Sequence, residues 1–169
     1  MKKVVFITAP EVFRDEEYYK PKKILEDGAI KVITASLKTG EITGRFGYKA
    51  VSDMILEDVK SKDFDGIVFV GGGGTSVFFQ DPTALKLANE FFQDGKPTAS
   101  ICIAGVILAN SGILKGKKAT VFIDGKDDLI KNGADYTGNP VEIDGNIITA
   151  NHADAAELFA NAVLTALNK

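Results

Sequence analysis

The sequence predicts an α/β fold in which a doubly wound, mostly parallel sheet carries helices on both of its faces. Short apolar runs alternate with segments of helical periodicity, which is the pattern of parallel strands joined by crossover helices. The first run, residues 4–8, is apolar almost throughout, as expected for a strand buried on both faces. No repeat, low-complexity tract or Pro/Gly-rich linker divides the chain. We therefore expect residues 1–169 to form a single domain.

The remaining strands are predicted from further short apolar runs. These runs lie at residues 30–35, 66–70, 97–101, 118–122 and 146–150. The pair Asp144 and Gly145 precedes the last run and indicates a turn at that point.

Helical spacing of apolar residues predicts four helices. The first covers residues 16–27, with Gly28 closing it and Pro21 disturbing its first half. The second covers residues 83–94, and a short third covers residues 104–109. The last covers residues 155–166, where Asp154 and Glu157 resemble a capping box.

The composition excludes several classes of protein. A net charge of −3 provides no basic surface for nucleic acid or for an anionic membrane. The apolar N-terminal run is too short for a spanning helix and lacks a signal-peptide cleavage site. The glycine run GGGGTS lacks the lysine of a phosphate-binding P-loop. With one cysteine and no disulfide framework, we expect a cytoplasmic protein that uses no metal or cofactor.

Cys102, the only cysteine, lies where an apolar strand meets a helix-like stretch. A sharp strand-to-helix turn at a nucleophilic residue is a nucleophile elbow. Because the positive end of a helix dipole favours the thiolate, we expect the pKa of Cys102 to lie well below the free value of about 8.5. The alternative is that Cys102 is a small core residue, since free cysteines are often buried.

The predicted order of strands favours Cys102 as a site residue over Cys102 as a core residue. The loop after Thr8, the glycine run after Val70, and Cys102 itself all follow predicted parallel strands. The carboxyl ends of such strands meet at one edge of the sheet, where ligands bind in doubly wound folds. The three features can therefore converge in space although they are far apart in the sequence.

Several motifs together resemble the DJ-1/PfpI (ThiJ/PfpI) superfamily, which is class I glutamine amidotransferase-like. They are the E-x-x-x-P of Glu17 to Pro21, a strand ending in Gly71-Gly72, ASIC at the elbow, TGEITGRFGY at 39–48 and DGKDDLIKNGA at 124–134. The resemblance covers residues 3–167, with a PfpI-like body and a DJ-1-like elbow. It implies a flavodoxin-like three-layer sandwich and a homodimer with the cysteine pocket near the interface.

The resemblance also implies roles for individual residues. Cys102 matches the reactive cysteine, and Glu17 matches a buried, protonated glutamate that hydrogen-bonds the sulfur. A carboxyl beside a thiolate in an apolar pocket is pushed towards its neutral form, which makes this pairing chemically sensible. Gly72 and Gly73, with the backbone of Ile103, match an oxyanion hole. Alternatively Glu17 is solvated, because it ends the acidic run 15–17, of which we expect only one member to face inward.

Three departures from the PfpI-like pattern weigh against a protease. Ile103 stands in place of the histidine that follows the nucleophile. Ser76, a pocket candidate, stands in place of a glutamate that relatives contribute to a neighbouring subunit's triad. Phe122 occupies a pocket position that carries a polar aromatic or imidazole ring in relatives. Because none of the three can carry a proton at neutral pH, we expect no Cys-His-Glu triad and no proteolysis.

Two further residues are candidates for the pocket. His152, the only histidine, follows the last strand and could supply an imidazole in cis or across the dimer, or it could be a capping or surface residue. Arg45 stands where relatives present a cation to the partner subunit's pocket, and its alternative is a solvated loop arginine.

Two classes of function remain open on the sequence. The first is a stress enzyme of the glyoxalase or deglycase type, in which the Cys102 thiolate adds to a small reactive carbonyl and Glu17 moves protons. The second is a non-catalytic redox-sensing or chaperone-like protein, whose Cys102 an oxidant converts to a sulfinic acid held by Glu17. The enzyme is the favoured interpretation.

Overall fold

A computed structural model describes all 169 residues. It contains twelve strands, which in chain order are β1 (Lys3–Ile7), β2 (Glu11–Phe13), β3 (Lys31–Ser36), β4 (Gly40–Gly44), β5 (Lys49–Ser52), β6 (Met54–Ile55), β7 (Gly66–Phe69), β8 (Thr98–Ile101), β9 (Lys118–Ala119), β10 (Asp135–Tyr136), β11 (Val141–Asp144) and β12 (Ile147–Ala150). Its five α-helices are α1 (Asp15–Asp27), α2 (Pro82–Gln93), α3 (Gly105–Ser111), α4 (Lys126–Lys131) and α5 (Ala156–Leu167).

Seven strands form the central sheet in the order β11-β12-β8-β7-β1-β3-β6. Every neighbouring pair is parallel except β11 and β12, which form an antiparallel hairpin. The predicted α/β class with a mostly parallel sheet is therefore confirmed. The carboxyl ends of β1, β7, β8 and β12 lie along one edge of this sheet, as parallel pairing requires.

Helices cover both faces of the sheet and create two hydrophobic cores. Helices α1 and α5 pack on one face, and α2, α3 and α4 pack on the other. Strand β1 serves both cores, since Val4 and Phe6 face one layer while Val5 and Ile7 face the other. This explains why its sequence is apolar without alternation. None of the helices combines the length and the apolarity needed to span a bilayer.

The predicted strand at 118–122 is shorter than expected and lies outside the central sheet. Only Lys118–Ala119 is extended, and it pairs with β10 in a separate two-stranded sheet. Beyond it, the Thr120 N–H donates to Thr149 Oγ1 at 3.0 Å, and the Phe122 N–H donates to the Cys102 carbonyl at 3.2 Å. These bonds tie the segment to β12 and to the cysteine turn, so it cannot join a strand ladder.

Helix α1 runs through Pro21 without interruption, contrary to the expected disturbance. Pro21 removes one intrahelical hydrogen bond but is buried, and packing of α1 against α5 stabilises the helix as a whole. The expected capping box at Asp154 is also absent. Instead, Nδ1 of His152 accepts the Asp154 N–H at 3.2 Å and caps a 3₁₀ turn that leads into α5.

A small three-stranded sheet, which the apolar pattern did not predict, stands beside the main one. Strand β2 pairs with β4 in parallel, and β4 pairs with β5 as an antiparallel hairpin. Its β4–β5 loop, residues 45–48, lies against the start of α1. The loop thereby brings Arg45 towards the edge of the sheet where β7 and β8 end.

Candidate active site

A cavity of about 280 Å³ lies at the carboxyl edge of the sheet. It is lined by Arg14, Glu17, Arg45, Gly72, Gly73, Cys102, Ile103, Phe122, Asp124 and His152. All the site residues expected from the sequence except Ser76 are therefore together in one place. A larger depression of about 440 Å³ lies at the opposite edge, between the starts of β8 and β12 and helix α5, and its lining contains no cysteine, histidine or carboxylate side chain.

Cys102 occupies a strained turn between β8 and α3. Its φ of 59° lies in the left-handed region, which costs a non-glycine residue roughly 1–2 kcal/mol. Strand β8 ends at Ile101, a 3₁₀ turn covers Cys102–Ala104, and α3 begins at Gly105. The turn leaves Cys102 half-buried in the cavity wall instead of enclosed in the core. This is the strand-to-helix geometry of a nucleophile elbow.

Glu17 reaches the cavity from the first turn of α1 and is only 1% exposed. Its carboxyl packs against Gly71, at the end of β7. A β-carbon at Gly71 would lie 2.3 Å from Glu17 Oε2, 2.7 Å from the Ile101 carbonyl oxygen and 2.9 Å from Cys102 Cβ. Only glycine therefore lets the carboxyl and the cysteine come together at this point.

Burial raises the pKa of Glu17 to about 7, although a hydrogen bond to Cys102 and the charge of Arg14 act in the opposite direction. Oε2 of this carboxyl is buried and has no hydrogen-bond partner beyond the contacts of the carboxyl with Cys102 and the Gly71 backbone. A carboxyl with a pKa near 7 is suited to exchange protons at neutral pH.

The pKa of the Cys102 thiol is raised, which corrects the expectation of a low value. Burial is the main cause, and the negative charge of Glu17 and the hydrogen bond to it add to the effect. The backbone N–H of Ile103 and the charge of Arg14 favour the thiolate, but more weakly. The predicted helix dipole contributes little, because α3 begins three residues later and is only seven residues long.

Glu17 and Cys102 form a coupled pair. Above pH 7 the pair carries one negative charge and one proton, and that proton can reside on either the sulfur or the carboxyl. Removing a second proton is disfavoured by burial and by repulsion between the two anions. The pair is therefore arranged as a nucleophile with an adjacent general base.

The three carboxyls of the acidic run 15–17 have three different partners. Asp15 accepts the N–H groups of Phe46 and Tyr48, at 3.0 and 2.9 Å, and is 4% exposed. Glu16 accepts from Nε of Arg14 at 2.6 Å and is half-buried. The expectation that only one carboxyl faces inward is wrong. Asp15 turns towards the β4–β5 loop while Glu17 turns towards Cys102, and both are buried.

His152 lines the cavity beside Phe122, with the ring centroids 6.0 Å apart. Nδ1 accepts the Asp154 N–H, as the capping alternative expected. While Nδ1 accepts this N–H, a neutral imidazole carries its proton on Nε2. Asp154 Oδ2 also lies 3.3 Å from Nδ1 and pairs with it when the ring is protonated. His152 is thus a capping residue whose side chain also lines the cavity.

The glycine turn after β7 contributes backbone to the cavity, and Ser76 does not. Gly72 has a φ of 115°, and a β-carbon there would lie 2.3 Å from the Arg14 nitrogen. Ser76 is exposed within the 3₁₀ turn Gly73–Phe78, where its hydroxyl donates to the Gly73 carbonyl at 3.4 Å. This turn carries Ser76 away from the cavity, which corrects the expectation that Ser76 lines the pocket.

Sequence reasoning missed two lining residues, Arg14 and Asp124. Arg14 directly precedes the acidic run, and that adjacency was the available signal. Asp124 lies in the 3₁₀ turn that follows Phe122. Arg45, which the resemblance assigned to the partner subunit's pocket, lines the cavity of its own chain. No group of three or more His, Cys, Asp or Glu side chains is arranged to hold a metal ion.

Comparison with known proteins agrees with this geometry. Residues 2–166 match the model of the DJ-1/PfpI family. "Uncharacterized protein MJ0967" of Methanocaldococcus jannaschii is 41% identical over 99% of this chain and 83% of its own length. "Deglycase PfpI" of Pyrococcus furiosus is 35% identical over 89% of this chain and 90% of its own length. The crystal structure of a ThiJ/PfpI domain protein from Brachyspira murdochii is 32% identical and superimposes with a TM-score of 0.96. The superposition covers 98% of this chain and 96% of that protein's chain. The chain belongs to the DJ-1/PfpI family.

Proposed function

We propose that this chain is a cysteine-dependent enzyme of the glyoxalase or deglycase type, acting on small reactive carbonyl compounds. One observation carries the proposal: a buried carboxyl with a pKa of about 7 lies beside a cysteine in a strained turn, in a cavity that admits a small molecule. The relative named "Deglycase PfpI" supports an enzyme of the deglycase type.

The first step is addition of the thiol to an aldehyde. Cys102 Sγ bonds to the carbonyl carbon, the thiol proton passes to the Glu17 carboxylate, and the carbonyl electron pair moves onto oxygen. The backbone N–H groups of Gly72, Gly73 and Ile103 are the available donors for that oxyanion. Glu17 then returns the proton to the oxygen, which completes a thiohemiacetal.

With methylglyoxal, a second proton transfer yields lactate. A base removes the proton from the thiohemiacetal carbon, which gives an enediolate, and a proton is delivered to the neighbouring carbon. The hydroxyl proton of the first carbon passes to the oxygen of the second, which leaves the thioester of lactate. Water then hydrolyses the thioester and regenerates the thiol. Glu17 is the base that the geometry favours for this step, and the Nε2–H of His152 is the available second proton donor.

Methylglyoxal turnover by the purified protein tests this proposal. Lactate formation is expected in the wild type and is expected to disappear in Cys102→Ser. Lys86→Gln, a substitution on the exposed side of α2, serves as the control and should retain full activity. No turnover in the wild type, or undiminished turnover in Cys102→Ser, would contradict the proposal.

Replacement of His152 tests its part in proton transfer. His152→Ala is expected to lower kcat for methylglyoxal by roughly 10²-fold, the usual contribution of general acid–base help. The alkylation rate of Cys102 should stay unchanged, because the Glu17 carboxyl remains in place. An unchanged kcat in His152→Ala would leave Glu17 as the only group that transfers protons.

Redox sensing is the second candidate, favoured by the buried carboxyl of Glu17 beside Cys102, whose Oε2 has no further partner. One equivalent of peroxide converts the Cys102 thiol to a sulfenic acid and water, and a second converts this to a sulfinic acid and water. A protonated Glu17 can donate a hydrogen bond to a sulfinate oxygen and stabilise it. Mass spectrometry after mild peroxide is expected to show the sulfinate in the wild type and further oxidation in Glu17→Leu. Identical oxidation products in the wild type and Glu17→Leu would show that Glu17 does not stabilise the sulfinate.

Proteolysis is not proposed. Ile103 and Phe122 flank the cysteine in the cavity and carry no titratable group, and Nδ1 of His152 is engaged with the Asp154 N–H. A nucleophile without a positioned imidazole typically loses several orders of magnitude in peptide hydrolysis. The homodimer and the cytoplasmic location expected from the sequence stay predictions.

A further inference from the structure

The chain contains only two arginines, Arg14 and Arg45, and both line the Cys102 cavity. All its other cationic side chains are lysines, and none of these lines the cavity. The two side chains come from different elements: Arg14 immediately precedes α1, and Arg45 lies in the β4–β5 loop. Folding thus gathers every guanidinium of the protein beside its one nucleophile.

Both guanidinium groups are held in place by the same aromatic ring. The Cζ atom of Arg14 lies 5.1 Å from the centroid of the Phe46 ring, and that of Arg45 lies 5.5 Å from it. The loop that carries Phe46 is fixed in turn by the buried Asp15 carboxylate. The Arg45 N–H also donates to the Phe13 carbonyl at 2.8 Å.

The hydrogen-bonding capacity of these arginines is largely unused. Arg14 donates from Nε to Glu16, while its terminal amino groups have no partner. The Arg45 guanidinium forms no ion pair and no side-chain hydrogen bond. The acidic groups of the lining are the exposed Asp124 and the Glu17–Cys102 pair. Arg45 is exposed and the Arg14 side chain is 29% exposed, so a ligand can reach both cations.

Resting on the proposed function, we propose that Arg14 and Arg45 form a subsite for an anionic group on the carbonyl compound that Cys102 attacks. A guanidinium presents parallel N–H donors that match two oxygens of a carboxylate or a phosphate ester. The preferred substrates are then carbonyl compounds that carry such a group, with the aldehyde or ketone carbon at the sulfur and the anion at the arginines.

A pair of nearly isosteric alkylating agents tests the subsite without requiring turnover. Iodoacetate and iodoacetamide both alkylate Cys102 with loss of iodide, and they differ in bearing a carboxylate or a neutral amide. Intact mass spectrometry gives the rate constant for iodoacetate divided by that for iodoacetamide. This ratio is compared with the same ratio for a small neutral thiol. We expect the protein's ratio to be about tenfold higher, the effect of one charge-assisted hydrogen bond.

Substitutions identify the origin of the preference. Arg14→Gln and Arg45→Gln are each expected to lower the ratio severalfold, and Arg45→Lys should lower it less because the charge remains. Lys86→Gln removes the same charge on α2, away from the cavity, and should leave the ratio unchanged. A ratio equal to that of the small thiol, or one that survives the double arginine substitution, would overturn the subsite.

Competing anions then distinguish the two kinds of ligand. Millimolar inorganic phosphate and acetate are tested separately for slowing the alkylation of Cys102 by iodoacetamide. Stronger protection by phosphate assigns the subsite to phosphate esters, and stronger protection by acetate assigns it to carboxylates. Protection by neither anion would overturn the proposal. Loss of methylglyoxal turnover alone would contradict only the proposed function, because alkylation needs no turnover.

Discussion

Glu17→Gln is expected to make the protein more stable and less active at the same time. In the native state burial holds the pKa of Glu17 near 7, whereas the unfolded value is near 4.5. Between these values the unfolded chain has lost a proton that the native state keeps, so stability falls as pH rises from about 4.5 to 7. The difference amounts to on the order of 3 kcal/mol at pH 8.

Glutamine has nearly the same shape and no charge, so the variant avoids this cost. Urea unfolding should show Glu17→Gln more stable than the wild type by about 3 kcal/mol at pH 8 and by less than about 1 kcal/mol at pH 5. Methylglyoxal turnover should fall by at least 10²-fold, because the general base is lost. Sites that need a buried ionisable group commonly exchange stability for activity in this way.

Glu16→Gln is the matched control for this substitution. Glu16 is the neighbouring residue, is half-buried, and has a pKa that is lowered by the Arg14 side chain although burial opposes the shift. Its replacement should therefore cause no gain in stability at pH 8. Equal stability of Glu17→Gln and the wild type at both pH values would show that the Glu17 carboxyl is not destabilised by burial.

Gly71→Ala is expected to have the second largest effect. The added methyl group would lie 2.3 Å from Glu17 Oε2 and 2.7 Å from the Ile101 carbonyl oxygen, distances that real β-carbons do not tolerate. We expect a loss of about 2–4 kcal/mol in the free energy of unfolding, since backbone atoms must move. The shift should also separate the carboxyl from the sulfur and suppress turnover.

Gly73→Ala tests whether this effect is local. The nearest atom to a β-carbon at Gly73 is Val12 Cγ1 at 3.7 Å, an ordinary contact. Its unfolding free energy should therefore change by less than about 1 kcal/mol. Similar losses in the two alanine variants would contradict the close packing at Gly71.

The sequence was sufficient to predict the strands that position the site. Buried parallel strands are continuous apolar runs, so β1, β7, β8 and β12 can be recognised in the sequence. Because these strands run in the same direction, Cys102 and His152 follow them at one edge of the sheet. The small sheet of β2, β4 and β5 was missed because its strands are short and partly exposed. The roles of Asp15 and Arg14 were not predicted for a related reason: they depend on the β4–β5 loop, which is distant in sequence.

The sign of the thiol pKa shift could not be predicted from the sequence. The elbow motif implies a helix dipole, which favours the thiolate, but the motif does not show how deeply the sulfur is buried. In the folded chain burial and the charge of Glu17 outweigh the backbone N–H of Ile103 and the charge of Arg14, which favour the thiolate. The same contacts change the expected chemistry from a free thiolate to a thiol that gives its proton to a neighbouring carboxylate.

The shared proton is tested most directly by the pH dependence of Cys102 alkylation with iodoacetamide. In the wild type the rate should rise through an inflection near pH 7, where Glu17 loses its proton and the pair becomes anionic. In Glu17→Gln that inflection should vanish, and the rate should keep rising into the alkaline range, because burial alone raises the pKa of the thiol. The same single inflection near the ordinary cysteine pKa of about 8.5 in both proteins would contradict a proton shared between Glu17 and Cys102.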